Sequence, residues 1–132
     1  AQAPGSYDAI RVYLWTALSA PLGAAAQWLR LACNPMLKAV QSAGVAPEQW
    51  NAHTGEWIAS PGPSGFQWVW ATLMPSTVTL NGLEPAEGLA TAQAWRSYGY
   101  YNSALRLFAQ GHLEGRYRID AEGRLIVRRG RP

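Results

Sequence analysis

Hydrophobic positions recur along most of this chain at helical spacing. Ile10, Leu14, Trp15 and Leu18 would share one face of a helix running from Ser6 to about Leu18. Ser6 is a residue type that caps helix starts, and Asp8 would fall in the first turn, where the helix dipole favours negative charge. Ala20-Pro21-Leu22-Gly23 breaks the pattern. A second helix is predicted from about Ala24 to Cys33. Asn34-Pro35 then reads as an N-cap followed by proline at the first helical position, restarting a helix that ends at Gly44. Trp50 to Ile58 reads as extended, with a turn around His53-Thr54-Gly55. Ser60-Pro61-Gly62-Pro63-Ser64-Gly65 is expected to be a rigid loop, neither helix nor central strand. Phe66 to Met74 is apolar on nearly every side and predicts a buried helix ended by Pro75. Further helices are predicted from Glu84 to about Trp95 and, after Tyr98-Gly99-Tyr100-Tyr101, from Asn102 to about Gln110, ended by Gly111. Arg116 to Val127 alternates around Ala121-Glu122-Gly123 and reads as a hairpin. The expected class is all-α with two small β-hairpins.

Composition narrows this picture. The 132 residues suffice for one domain, and 48% hydrophobic against 14% charged residues excludes a disordered chain. Seven Trp and six Tyr stand against two Phe. Rings with a flat apolar face and a polar handle suit both cores and sugars. The net charge of +3 comes from a late cluster, Arg116, Arg118, Arg124, Arg128, Arg129 and Arg131. That cluster reads as a solvated terminus. A nucleic-acid partner is disfavoured, because the aromatics do not interleave with the basic run as a strand-binding groove requires. Cys33 is the sole cysteine, so no intrachain disulfide can form, and it is expected to pack. No apolar run reaches the length of a membrane span. His53 and His112 lie far apart with no cysteine beside them, which argues against a metal centre. Gly62 and Gly65 alternate with prolines, which lack the N–H groups of a phosphate cradle. No cofactor is implied.

The candidate chemistry lies in Ser6-Tyr7-Asp8-Ala9-Ile10-Arg11, an acid, an aromatic and a guanidinium on a stretch that otherwise carries no charge until Arg30. Arg11 follows Asp8 by three residues, so on a helix the two share a face. A partnered carboxylate with aromatic neighbours fits an acid/base site, and it equally fits an ordinary structural ion pair.

Longer motifs carry a resemblance. Gly5 to Trp15, read Gly-Ser-Tyr-Asp-Ala-Ile-Arg-Val-Tyr-Leu-Trp, closely resembles the start of the C-terminal third of glycoside hydrolase family eight, nearest to the endoglucanases of bacterial cellulose synthase operons. Asn34-Pro35-Met36 is similar to a Lys-Pro-Met of those enzymes, and Gly62-Pro63-Ser64-Gly65-Phe66 to their Gly-Pro-x-Gly-Phe loop. Tyr100-Tyr101-Asn102 with Leu105, Leu107, Phe108 and Gln110-Gly111 resembles their final helix, and Arg116-Tyr117-Arg118-Ile119 their closing strand. The resemblance covers essentially the whole chain, in order. It implies the last few helices of an (α/α)6 barrel, decorated by two hairpins.

The resemblance also implies a mechanism. Inverting glycosidases need one carboxyl group to protonate the leaving oxygen and another to activate water, roughly 6.5 to 9.5 Å apart. Asp8 matches the general base, with Arg11 holding it ionised. Tyr7 would help place water or a sugar ring, and Tyr100 and Tyr101 match substrate-contacting tyrosines. The family's general acid, in a Glu-Gly-Gln-type motif, has no counterpart here, and neither does a second aspartate that binds the central sugar. The expectation is therefore a base-bearing part of a β-1,4-glucanase, inactive alone, whose partner is the N-terminal part of the enzyme. Its Phe66 to Met74 helix and Trp-rich surfaces would want covering by that partner. The alternative is a glucan-binding or scaffold remnant that has lost catalysis. Enzymes of this kind act in the periplasm or outside the cell, and the export signal would lie on residues absent from this sequence.

Overall fold

The computed structural model describes residues 5–19, 23–51, 53–59, 61–75, 80 and 99–128. Helices α1 (Ile10–Leu18), α2 (Ala24–Ala32) and α3 (Asn34–Ala43) are followed by the hairpin β1 (Gln49–Trp50) and β2 (Trp57–Ala59). Then come α4 (Ser64–Ala71), α5 (Tyr100–Leu113) and a second hairpin, β3 (Tyr117–Ile119) and β4 (Leu125–Val127). Helices dominate and both small antiparallel hairpins form, as expected. The predicted Glu84 to Trp95 helix, Tyr98, and Arg129 and Arg131 lie outside the described residues.

Locally encoded boundaries follow the pattern. Pro35 has no N–H for the carbonyl four residues earlier, so the winding is interrupted between α2 and α3. Gly44 ends α3 with φ +71°, its N–H donating to the Val40 carbonyl at 2.9 Å. In the first hairpin, Asn51 Oδ1 accepts from the amides of His53 and Thr54, and Gly55 turns the chain at φ +73°. In the second, Asp120 accepts from the amides of Glu122 and Arg124 and from Arg124 Nε. These hydrogen bonds, led by the Arg124 amide, hold its carboxyl below the usual carboxylate range.

Long-range contacts move other boundaries. Gly5 pairs with Trp50 through two backbone hydrogen bonds of 2.7 and 3.0 Å, so the segment after it turns before it can wind. Helix α1 therefore begins at Ile10, not Ser6. Ala9 occupies the N-cap position, Ser6 contributes only its carbonyl, and Asp8 sits in the turn ahead of the helix. Cys33, not Asn34, occupies the cap position of α3. Ser64 and Gly65 are helical, because Pro63 restricts only what precedes it and the Gly65 N–H finds Asn102 Oδ1 at 2.9 Å on α5. A Cβ at Gly65 would stand 3.0 Å from the Asn102 Cα, so glycine permits this close crossing. Gly111 does not end α5, which runs to Leu113; a Cβ there would meet the Tyr117 ring at 2.9 Å. The glycine is a notch for that ring, whose hydroxyl donates to the Phe108 carbonyl at 2.6 Å.

Helix α4 is the centre of the core. Phe66 to Trp70 are all buried, as the apolar run predicts, but the helix ends at Ala71 and of the expected remainder to Met74 only Leu73 is buried. Helix α4 packs most extensively on α5 and next on α1. This corrects the expectation that a missing partner must cover it. Ile10, Tyr13, Leu14 and Leu18 of α1 join Trp50, Phe66 and Trp70 in one cluster. Buried Gln67 satisfies the loop beside it, accepting from the Ala46 N–H at 2.7 Å and donating to the carbonyls of Ala46 and Gly62. Cys33 is buried and free, and burial pushes its thiol up. Exposed apolar rings and aliphatics do occur, at Trp15 on α1, Trp28 and Leu31 on α2, and Tyr100, Leu107 and Phe108 on α5.

Candidate functional site

The turn Tyr7–Ala9 projects Asp8 into solvent, its side chain fully exposed. One turn on, Arg11 Nη2 donates to Asp8 Oδ1 at 2.9 Å, the i,i+3 pairing that the spacing suggested. An exposed pair of this kind adds little to stability. The fold does not need these charges, which leaves them free for work at the surface.

Arg11 also lines an open depression of about 150 Å³ between α1 and α5. Leu14 and Trp15 form one wall and Tyr100, Tyr101, Ala104 and Phe108 the other. The structure thus gathers Asp8, Arg11, Tyr100 and Tyr101 at one end of α1, from segments about ninety residues apart in sequence. Tyr100 is 91% exposed and presents its whole face. Flat aromatic faces beside a charged pair can hold the apolar face of a sugar ring while its hydroxyls meet the charges.

Tyr7 and Tyr101 are differently engaged. The Tyr7 ring meets buried Phe66 edge-on at 5.2 Å and Tyr101 at 5.6 Å. Its hydroxyl donates to Glu48 Oε1 at 2.8 Å, a bond that raises its pKa and keeps the proton on the phenol. The Tyr101 hydroxyl donates to the Tyr7 carbonyl at 2.6 Å, and burial raises its pKa. Both hydroxyls are thus held within the chain, while the rings stay partly exposed. Glu48 was not singled out by the sequence. It stands 41 positions from Tyr7, and the Gly5–Trp50 pairing helps bring the two segments together.

Among the described residues, no group of three or more His, Cys, Asp or Glu side chains is arranged to hold a metal ion. No described helix is long and apolar enough to cross a membrane.

Comparison with known proteins gives these features a context. No protein-family model matches the chain. A protein named endoglucanase from Salmonella typhi is 34% identical over 122 residues, 92% of this chain. Endoglucanases of Escherichia coli K12 and Xanthomonas axonopodis pv. citri are 29% and 33% identical over the same share. Among solved structures, an endo-1,4-D-glucanase from Vibrio fischeri ES114 superposes with a TM-score of 0.72 at 26% identity, covering 97% of this chain and 37% of that one. The chain spans about a third of the length of the curated relatives it matches, 32% of each. On sequence and on structure alike, the chain is similar to bacterial endoglucanases over about one third of their length.

Proposed function

We propose that this chain is the base-bearing, C-terminal part of an (α/α)6-barrel endo-β-1,4-glucanase of glycoside hydrolase family eight. It acts by inversion on cellulose or a related β-glucan outside the cytoplasm, in connection with bacterial cellulose synthesis. One observation carries the reading. In a chain similar to endoglucanases, an acid that the fold does not require is held by Arg11 beside an aromatic depression and remains open to water.

In this mechanism Asp8 accepts a proton from the water that attacks the anomeric carbon. Arg11 donates a hydrogen bond to Asp8 and fixes the direction of its carboxylate. The ring of Tyr100 supports the sugar, and the depression beside α1 receives part of the glucan. The acid that protonates the leaving oxygen comes from the other two thirds of the enzyme, across a gap of roughly 6.5 to 9.5 Å.

Reducing-end release from carboxymethylcellulose tests this. The 132-residue chain by itself is expected to release none, and the complete domain is expected to be active. In the complete domain, Asp8→Asn should lower kcat by about 10²- to 10⁴-fold, and the first-formed product should carry the inverted anomer by NMR. Activity of the chain alone, or unchanged turnover in Asp8→Asn, would overturn the proposal. Unchanged glucan affinity in a complete domain that never turns over would instead mark a binding remnant.

A further inference from the structure

We infer that Glu48 is a positioning residue for the general base, acting through Tyr7. This rests on the reading of Asp8 as that base. Among the described residues only Arg11 tethers the Asp8 side chain, which is fully exposed, so neither burial nor packing by them sets its position. Its neighbour Tyr7 is held at three points. The ring packs on Phe66, which is fully buried; the hydroxyl donates to Glu48 Oε1; and the carbonyl accepts from the Tyr101 hydroxyl. The peptide that joins Tyr7 to Asp8 is therefore held directly from α5 by Tyr101, and from the hairpin side by Glu48 through the Tyr7 side chain.

Glu48 is itself anchored. Its N–H donates to the Ala59 carbonyl at 2.9 Å, and it directly precedes β1, whose Trp50 is bridged to Gly5. The carboxylate thus stands on the strand pairing that fixes where the chain enters the Asp8 turn. A displacement of about 1 Å in a catalytic group can lower turnover about 100-fold, and a turn outside the helix needs such support. The arrangement gives Glu48 a task unlike that of the two carboxyl groups that do the chemistry. It accepts one hydrogen bond and touches neither water nor sugar in the reaction.

The test uses the complete domain, with thermal melting recorded for every variant. Glu48→Ala should lower kcat about 10- to 100-fold while KM stays near the wild-type value, because the glucan-facing rings are untouched. Glu48→Gln keeps an oxygen that can accept from the Tyr7 hydroxyl and should recover most of the loss. Tyr7→Phe removes only the donor and should match Glu48→Ala, and the double variant should be no slower than either single one within about 2-fold. Raised KM with unchanged kcat would mean that Glu48 meets the substrate, and would overturn the inference. Multiplicative losses in the double variant, or wild-type turnover in Glu48→Ala, would also overturn it. If Glu48→Ala does not fold, Tyr7→Phe decides by the same kcat criterion. Asp8→Asn separates the two readings: full turnover there sinks the base assignment, whereas a dead Asp8→Asn beside a wild-type Tyr7→Phe sinks only the role of Glu48.

Discussion

Two aromatic groups share Phe66 and look alike by ring geometry. Toward the interior, the Tyr13 ring lies tilted at 4.2 Å from Trp70 and 5.6 Å from Trp50, and Trp50 lies 6.3 Å from Phe66. Toward the surface, Tyr7, Tyr101 and Phe66 stand 5.2 to 6.5 Å apart. Ring spacing does not separate a core from a site. The polar handles do. In the interior group Trp50 Nε1 donates to the Tyr13 hydroxyl at 3.0 Å, closing the group on itself. In the surface group only the Tyr7 hydroxyl leaves the rings, for Glu48, while the Tyr101 hydroxyl ties to the Tyr7 carbonyl beside Asp8. The first arrangement stabilises a fold. The second holds a turn in place.

The largest effect should come from the interior. Trp70 is fully buried, and Trp70→Ala is expected to destabilise the fold by about 3–5 kcal/mol in denaturant titrations. A loss under about 1 kcal/mol would mean that the interior group is not the core.

Tyr13→Phe should be smaller, about 1–3 kcal/mol, because it leaves the buried Trp50 N–H without its acceptor. The same variant sharpens the comparison through pH. Burial raises the Tyr13 phenol above its ordinary value, so the folded state holds that proton more tightly than the unfolded state does. The corresponding stability is present in full below about pH 10 and is lost as pH rises through the folded value. Tyr7, Tyr101 and Tyr117 are shifted the same way and contribute in the same direction. Denaturant midpoints of Tyr13→Phe should therefore fall less steeply with alkaline pH than those of the wild type.

The smallest stability effect should come from the outermost ring. Tyr100→Ala is expected to change stability by no more than about 0.5 kcal/mol, since the side chain is 91% exposed. In the complete domain it should nevertheless weaken glucan affinity, measured by titration with cello-oligosaccharides. A large loss of stability with unaltered affinity would make Tyr100 part of the packing and erase the contrast.

The residues that were legible in advance obey short-range rules. Pro35 lacks a donor, Gly44 supplies a left-handed cap, the turns at His53-Thr54-Gly55 and Ala121-Glu122-Gly123 close on neighbouring residues, and the Phe66 to Met74 run is too apolar to face water. The Asp8–Arg11 pair was legible for the same reason, since three residues of helical spacing suffice to join them. Several of the misread positions answer to contacts outside their own turn. Ser6 lost its cap role to the Gly5–Trp50 bridge, Gly65 became helical against Asn102, and Gly111 stayed helical beneath Tyr117. Glu48 carries no local mark, and its neighbours in sequence say nothing of Tyr7.

By itself, the sequence determined the helical class, the two hairpins, the buried run of α4 and the acid–guanidinium pair, because each depends on covalent geometry and spacing within one or two turns. Only the tertiary structure decided which aromatic rings face inward and where Asp8 leaves the helix. It alone brought Glu48 and Tyr101 to the same residue, Tyr7. Those outcomes depend on hydrogen bonds and packing between segments forty to ninety residues apart, which no local pattern encodes.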